Sequence, residues 1–136
     1  MATYTKGKAV KLTRNFKSTE FDCKGKKCCS KTPIDIELVG YLQVIRNYFG
    51  KSVTINSGYR CAKHNKSVGG TTNSKHCLGM AADIVVKGIK PREVAKFAET
   101  IGVRGIGLYD TFVHVDSRTS KSFWKGQEQK KVKTFK

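Results

Sequence analysis

The stretch SKHCLGMAADIVV, residues 74–86, predicts the central strand of the fold. Its second half, residues 81–86, is apolar or β-branched except at Asp83, a pattern typical of a buried strand. An ionised carboxylate inside such a strand is costly unless it is paired or bound to a metal ion. Asp83 is therefore a candidate functional residue, and His76 stands shortly before it in the same stretch.

A second predicted strand, FVHVD over residues 112–116, places His114 among apolar neighbours in the same way. Imidazole nitrogens and carboxylate oxygens are common zinc ligands, and three protein ligands leave a fourth tetrahedral position for water. We therefore take His76, Asp83 and His114 as candidate ligands of one zinc ion, in a site of the catalytic type.

The first helix is predicted to begin near residue 32. Thr32 is a candidate N-cap, Pro33 would occupy the first helical position, and Asp35 would lie in the first turn. Gly50 is a typical C-terminal stop. The apolar positions with helical spacing between these limits are Ile36, Val39, Leu42, Ile45 and Phe49.

The remaining segments alternate between strands and helices. Pro91 is expected to open a second helix that ends before Gly102. The sequence therefore predicts an α+β fold with a small, mostly antiparallel sheet flanked by helices. The other expected segments are strands over residues 52–56 and 106–109 and a loop over residues 61–74.

The charge balance constrains the partners of the chain. A net charge of +17 on 136 residues favours a polyanionic partner, such as nucleic acid or an anionic cell-wall polymer. The basic residues concentrate near both ends, and no helix-turn-helix or aromatic RNA-binding pattern accompanies them. Charge alone does not choose between these partners, but without such a motif nucleic acid is not expected, and solvated tails are the simplest interpretation of the basic ends. A basic nucleic-acid-binding protein with structural histidines stays an alternative.

The ends and the cysteines set further expectations. No apolar stretch of a secretory signal and no window of a membrane span is present, so synthesis in the cytoplasm is expected. Five cysteines cannot all pair within one chain, so reduced thiols are the simplest state. The alternative is a structural metal or a disulfide among Cys23, Cys28 and Cys29, with Cys61 or Cys77.

Three motifs together resemble the zinc D-Ala-D-Ala carboxypeptidase family: SGYRCAKHNKSVGG, SKHCLGMAAD and GIGLYDTFVHVDSR, at residues 57–70, 74–83 and 105–118. That family is part of a metallopeptidase group with vancomycin-resistance dipeptidases, phage endolysins and the Hedgehog signalling fold. The resemblance covers about residues 15–118. It implies a Hedgehog/D-Ala-D-Ala peptidase-like fold and hydrolysis of peptidoglycan stem peptides.

The resemblance also implies roles for single residues. His76, Asp83 and His114 match the zinc ligands. Arg60 matches the arginine that holds the terminal carboxylate of the substrate, which a planar guanidinium can bind with two parallel hydrogen bonds. Ser74 matches a serine beside the substrate, although a serine at this position can equally cap its own backbone.

The general base departs from the family pattern. Many relatives have a histidine two positions, or an acid three positions, before the last ligand, where this chain has Phe112 and Thr111. Asp116 shares the strand face of His114 and is the favoured candidate. Asp110 is the alternative, and an arginine partner such as Arg118 would make Asp116 a structural ion pair instead.

The organisation follows from these motifs. We expect a basic N-terminal arm over residues 1–31 packed on the core, a zinc peptidase core over 32–118 and a basic C-terminal tail over 119–136. Together they form a single monomeric domain. The protein would act at the cell wall after release, as a phage lysin or an exported module. The choice between carboxypeptidase and endopeptidase stays open, as does a zinc-binding relative without turnover.

Overall fold

The structure, a computed structural model, describes all residues from Met1 to Lys136. The helices are α1 (Ile36–Phe49), α2 (Ala62–Ser67) and α3 (Pro91–Thr100). The strands are β1 (Ala2–Thr5), β2 (Lys11–Thr13), β3 (Phe16–Lys17), β4 (Lys31–Ile34), β5 (Val53–Ser57), β6 (Ala81–Val86), β7 (Gly105–Leu108), β8 (Val113–Asp116), β9 (Ser122–Lys125) and β10 (Lys130–Lys131).

A six-stranded sheet in the order β10-β9-β7-β8-β6-β5 forms the centre of the molecule. All neighbouring strands in it are antiparallel except β7 and β9, which run parallel. Two small antiparallel pairs, β1 with β4 and β2 with β3, lie outside this sheet. The predicted α+β fold with a small, mostly antiparallel sheet flanked by helices is confirmed.

The two faces of the sheet have different compositions because strand side chains alternate in direction. One face packs against α1 and α3 and forms the hydrophobic core, with Ile84, Ile106 and Val115 almost completely buried. The opposite face carries the alternate residues of the same strands, including Asp83 and His114. Burial of apolar area on the helical side therefore stabilises the sheet, while its other side is left for polar groups.

Helix α1 begins later than the sequence indicated. Thr32 and Pro33 belong to β4, where they pair with β1, and the Thr32 hydroxyl donates to Asp22 Oδ1 at 2.6 Å. The N-cap is Asp35, whose Oδ1 accepts a hydrogen bond from the Glu37 N–H at 3.1 Å. The predicted cap at Thr32 was wrong. Residues 31–34 form β4 and pair with β1, and the sequence did not indicate this pairing. Ile36, expected in the core, is half exposed.

Other predicted boundaries agree with the structure, with one exception. Gly50 ends α1 in the left-handed conformation, with φ of 63°, and Pro91 occupies the first turn of α3. The expected loop over residues 61–74 contains α2, for which Cys61 serves as the N-cap. The sequence did not reveal this helix because cysteine is not among the usual N-cap residues.

The C-terminal segment is part of the sheet, which corrects the expected basic tail over residues 119–136. β9 pairs with β7, and Phe123 packs in the core together with Phe135, which is fully buried. The backbone N–H of Phe135 donates to Glu99 at the end of α3, at 2.7 Å. The lysines of this segment occupy exposed positions between apolar residues. Because of its many lysines, the sequence predicted a solvated tail, although Phe123 and Phe135 belong to the core.

The N-terminal segment lies against the rest of the domain through aromatic residues. Phe16 and Phe21 are almost fully buried in the same core as α1. The carbonyl oxygen of Phe21 accepts a hydrogen bond from the Tyr59 N–H at 2.8 Å, next to the turn that follows β5. None of the helices has the length and apolar character that a membrane crossing requires.

Candidate metal centre

Three polar side chains meet on the face of the sheet that is opposite to α1 and α3. Asp83 on β6 and His114 on β8 are direct cross-strand partners, and His76 comes from a 3-10 turn, Lys75–Leu78, that precedes β6. Asp83 Oδ1 lies 3.2 Å from His76 Nε2 and 3.1 Å from His114 Nδ1. All three residues are buried, and their donor atoms lie within 4.8 Å of one another.

Both histidine rings are held by their outer nitrogens. His76 Nδ1 lies 2.8 Å from the carbonyl oxygen of Gly58, to which it can only donate. His114 Nε2 lies 2.7 Å from Asp116 Oδ2 and donates to this carboxylate. When the imidazoles are neutral, these bonds place the proton on the outer nitrogen, so each inner nitrogen carries a lone pair directed at Asp83. A backbone carbonyl or a carboxylate in this outer position is the usual arrangement around metal-bound histidines.

The donor set fits a divalent cation. Two neutral imidazole lone pairs facing a carboxylate oxygen repel it, so either two protons or one cation must lie between them. A tetrahedral zinc with bonds of about 2.0–2.1 Å places neighbouring ligand atoms about 3.3 Å apart. The distances of 3.1 and 3.2 Å from Asp83 are close to this value. The three predicted ligands are thus brought together, with a spacing that a metal ion fits.

The hydrogen bonds of the cluster favour an ionised Asp83 and a positive charge beside it. Burial raises the pKa of Asp83, but the hydrogen bonds from His114 and His76 outweigh burial and hold that pKa well below its usual range. For His114, burial lowers the pKa, and the hydrogen bonds to Asp116 and Asp83 outweigh it, so the net shift is upward. The pocket therefore stabilises an ionised Asp83 together with positive charge beside it, on His114 or on a bound cation.

Asp116 lies behind His114 rather than in front of it. Its side chain is fully buried, and it accepts hydrogen bonds from His114 and, at 2.7 and 2.8 Å, from the Arg118 guanidinium. Burial raises the pKa of Asp116, but these bonds outweigh burial and lower it. Asp116 does not line the cleft. This placement fits a residue that orients His114 better than it fits the expected general base.

Asp110, the alternative base, is exposed and lies outside the cleft. It lines a separate pocket of about 740 Å³ beside Lys90 and Lys125. Asp83 is the only carboxylate among the residues that line the cleft above the three donors. Neither predicted base is therefore among the residues that line the cleft.

Arg60 and Ser74 both line the cleft, as expected. Arg60 Nε donates to Ser57 at 2.9 Å, and its terminal nitrogens donate to Asn65 and Asp83, both at 3.3 Å. Ser74 is the N-cap of the 3-10 turn, where its hydroxyl accepts from the His76 N–H at 3.2 Å. The capping interpretation of Ser74 is therefore confirmed, and it leaves the serine at the cleft wall.

The cleft has a volume of about 560 Å³ and is lined mainly by polar residues. Trp124 on β9 was missed in the sequence. Its ring lies 5.1 Å from the ring of His114, and its indole N–H donates to the Tyr109 hydroxyl at 2.9 Å. The alternation of Trp124 with the core residue Phe123 on β9 indicates a strand here, but the lysine content of the segment predicted a tail. Basic side chains also line the cleft: Arg60, Lys75, Arg118 and Lys131.

Two glycines of β7 make room on the site face. A Cβ on Gly105 would collide with the carboxylate of Asp116, and a Cβ on Gly107 would lie 2.5 Å from the indole of Trp124. Gly107 pairs directly with His114 across the sheet. The alternation Gly105-Ile106-Gly107 therefore buries one side chain in the core while the site face stays free for its neighbours.

The family model described as Peptidase M15 matches residues 14–116, about three quarters of the chain. The chain belongs to the peptidase M15 family. The resemblance inferred from the three motifs is therefore confirmed at the level of the family. The matched range contains the whole cluster of Asp83 and the two histidines.

Two curated relatives are similar to parts of this M15 chain. One is the zinc D-Ala-D-Ala carboxypeptidase of Streptomyces albus G, which is 46% identical over 44 residues, 32% of this chain and 17% of the relative. The other is the probable peptidoglycan L,D-endopeptidase MepK of Haemophilus influenzae, 35% identical over 81 residues, 54% of this chain and 43% of the relative. The matched region spans less than half the length of either relative.

Proposed function

We propose that this protein is a zinc-dependent peptidase that hydrolyses D-amino-acid-containing bonds in peptidoglycan stem peptides. The observation that carries the proposal is the convergence of His76, Asp83 and His114 at the floor of an open cleft, with both imidazoles fixed by their outer nitrogens. Membership of the M15 family supports a peptidase. The two relatives, a zinc D-Ala-D-Ala carboxypeptidase and a probable peptidoglycan L,D-endopeptidase, support zinc and peptidoglycan.

The chain offers one zinc ion three ligand atoms: His76 Nε2, Asp83 Oδ1 and His114 Nδ1. When bound, zinc supplies Lewis-acid polarisation of a carbonyl and makes water more acidic. Gly58 and Asp116 hold the two imidazole rings in the required orientation. The buried floor and the open cleft above it are consistent with three protein ligands and one exchangeable position.

Arg60 is the proposed binding site for a substrate carboxylate. A guanidinium has five N–H groups, and three of those on Arg60 are used by Ser57, Asn65 and Asp83. Each terminal nitrogen therefore keeps one free N–H, which is the pair that a bidentate carboxylate contact needs. These contacts also orient the guanidinium before a substrate arrives, so little side-chain entropy is lost on binding.

Tyr109 is a candidate donor to the negative charge that develops on the scissile carbonyl oxygen. Its hydroxyl accepts a hydrogen bond from Trp124 and so keeps its own proton to donate. Both residues line the cleft beside His114. A preorganised hydroxyl donor of this kind typically accounts for a factor of about 10²–10³ in rate.

The surface charge suits an anionic, wall-bound substrate. The net charge of +17 attracts the protein to anionic cell-wall polymers, and the cleft itself is rimmed by lysine and arginine. Because exposed charges are screened by salt, this attraction falls as ionic strength rises. Activity at the cell wall, as a phage lysin or as an exported module, is part of the same proposal.

A second candidate function is zinc-dependent binding of a wall peptide without turnover. The observation that favours it is that no carboxylate or imidazole lines the cleft apart from the three proposed ligands. A positioned general base typically contributes about 10²–10⁴ in rate. Without such a group, the same cleft would bind a substrate and release it unchanged.

The test is incubation of the purified protein with muropeptides, with zinc content measured in the same samples and products identified by mass. We expect cleavage by the zinc-loaded protein, loss of cleavage with a chelator, and recovery when zinc is added back. His76→Ala should abolish cleavage. His64→Ala is the matched control, since the His64 side chain lies outside the cleft, and it should retain activity.

The products decide between the candidate functions. Release of D-Ala would identify a carboxypeptidase, and release of a larger fragment would identify an endopeptidase. Unchanged muropeptides with zinc bound at the histidine site would refute the enzyme and support the binding protein. If His76→Ala cleaved as well as the wild type, the assignment of the metal centre would be refuted.

A further inference from the structure

A second cluster of metal-binding side chains lies apart from the cleft. Cys23, Cys28 and Cys29 from the N-terminal segment meet Cys61, which precedes α2, and all four are free thiols. Their sulfur atoms lie within 4.8 Å of one another. Cys23 and Cys61 are buried, and the other two are partly buried. Cys77, the fifth cysteine, does not belong to the cluster.

The spacing of the sulfurs matches a tetrahedral metal site. Zinc–thiolate bonds of about 2.3 Å place neighbouring sulfurs about 3.8 Å apart in a regular tetrahedron. The distances are 3.7 Å from Cys23 to Cys28, 3.9 Å from Cys23 to Cys61, and 3.9 Å from Cys28 to Cys29. With all four sulfurs within 4.8 Å of one another, these separations fit a closed tetrathiolate set, which is the structural type of zinc site.

The backbone around the sulfurs is shaped to bring them together. A Cβ on Gly25 would lie 2.5 Å from the sulfur of Cys28 and 3.0 Å from the His64 side chain, so the loop approaches this closely only with glycine. Lys27 has a φ of 56°, the left-handed conformation, immediately before Cys28. The backbone N–H of His64 donates to the sulfur of Cys61 at 3.4 Å, as expected around a thiolate.

The charge around the cluster is complementary to a metal–thiolate centre. A divalent cation with four thiolates carries two net negative charges. Lys6 Nζ lies 4.0 Å from the sulfur of Cys29 and donates to the carbonyl oxygen of Gly25 at 2.8 Å. Lys24, Lys26 and Lys27 stand between the first two cysteine ligands in the sequence. These cations offset the charge that four thiolates bring.

We propose that Cys23, Cys28, Cys29 and Cys61 bind a second, structural zinc ion that joins the N-terminal segment to the turn bearing Arg60. Cys61 follows Arg60 directly, and Gly58, whose carbonyl holds His76, lies in the same turn. A Cβ on Gly58 would lie 2.7 Å from the backbone of Phe21, so the two segments are already in contact there. The second zinc would fix this contact. The inference is independent of the proposed peptidase activity.

The test is the zinc content of the reduced, full-length chain after dialysis against metal-free buffer. We expect two zinc ions per chain in the wild type, one in the double variant His76→Ala/Asp83→Ala, and one in Cys28→Ser. Cys77→Ser is the matched cysteine control, which should retain both ions. Replacing zinc with cobalt in the double variant should give the charge-transfer absorption of cobalt bound to thiolates.

The cobalt spectrum protects the test against misfolding of Cys28→Ser, since the double variant keeps all four cysteines. Absence of that absorption, together with one zinc ion in the wild type, would overturn the proposal. An intact mass that shows loss of two hydrogens, with Cys23 paired to Cys28 or Cys61 in peptide maps of protein purified with reductant, would also overturn it. A zinc content of two in Cys28→Ser would show that the second ion binds elsewhere.

Discussion

The variant Asp116→Asn distinguishes two possible roles of the carboxylate behind His114: orienting the imidazole ring, or acting as the general base. In the wild type one oxygen of Asp116 accepts from His114 Nε2 and from Arg118 Nη2, both at 2.7 Å. The other accepts from Arg118 Nε at 2.8 Å. Asparagine keeps the shape of the side chain but has one accepting oxygen, and its amide nitrogen would face an N–H group. Either His114 or Arg118 must therefore lose its acceptor.

The expected change in zinc affinity follows from this geometry. If Asp116 orients His114, the variant should weaken zinc binding at the histidine site by about 10–100-fold, which is about 1.4–2.7 kcal/mol. Catalysis at saturating zinc should change less. If Asp116 is instead the general base, zinc affinity should stay near the wild-type value, and kcat should fall by about 10²–10⁴.

The assay can use the single tryptophan of the chain. Trp124 lies 5.1 Å from the ring of His114, so its fluorescence reports binding of a quenching metal such as cobalt at this site. Titrations of wild type, Asp116→Asn and the control Asp110→Asn give the affinities. Muropeptide cleavage at saturating zinc gives kcat. Unchanged affinity with a large loss of kcat would refute the orienting role, and any effect of Asp110→Asn on affinity would contradict its place outside the cleft.

Three further variants test the packing of the core, of the site face and of the C-terminal segment. Phe135→Ala should lower the free energy of unfolding by about 3–5 kcal/mol in denaturant titrations, because the ring is fully buried; an effect under about 1 kcal/mol would contradict its place in the core. Gly105→Ala should cost about 1–3 kcal/mol and weaken zinc binding, since the new methyl group displaces Asp116; a neutral result in both would be inconsistent with the close approach. For Glu99, burial raises the pKa, but hydrogen bonds from Phe135 and Thr134 outweigh it and lower the pKa below 4.5. Its contribution is therefore complete above pH 4.5 and is lost as pH falls through the lower, folded-state pKa, so the Tm difference between wild type and Glu99→Gln should shrink in acid; a difference that grows in acid would reverse the sign.

The cluster of His76, Asp83 and His114 was predictable because polar residues in apolar strands are rare. Asp83 and His114 each alternate with core residues, so period-two alternation places both on the non-core face. The cross-strand pairing then brings them opposite each other. What the sequence did not contain was the outer partner of His76, the carbonyl oxygen of Gly58, because any residue supplies a carbonyl and only the fold decides which one is near.

The two ends of the chain were harder to predict because charge and burial coexist in short segments. Residues 119–136 contain many lysines, yet Phe123 and Phe135 anchor them in the core. A two-stranded edge such as β9 and β10 has too few residues for a clear alternation pattern. The same difficulty hid β1 and β4, whose pairing replaces the expected start of the first helix.

The strand face of Asp116 was predicted correctly, but its contacts point to a role other than the expected one. Alternation correctly placed Asp116 on the same strand face as His114. Whether that carboxylate faces substrate depends on Arg118, which lies beyond the strand end and turns back to bind both carboxylate oxygens. A carboxylate that pairs with Arg118 and accepts a hydrogen bond from His114 has its pKa lowered, and a lowered pKa makes a weak base. Asp116 is therefore suited to hold His114 in place, and the Asp116→Asn titration tests this role against that of a general base.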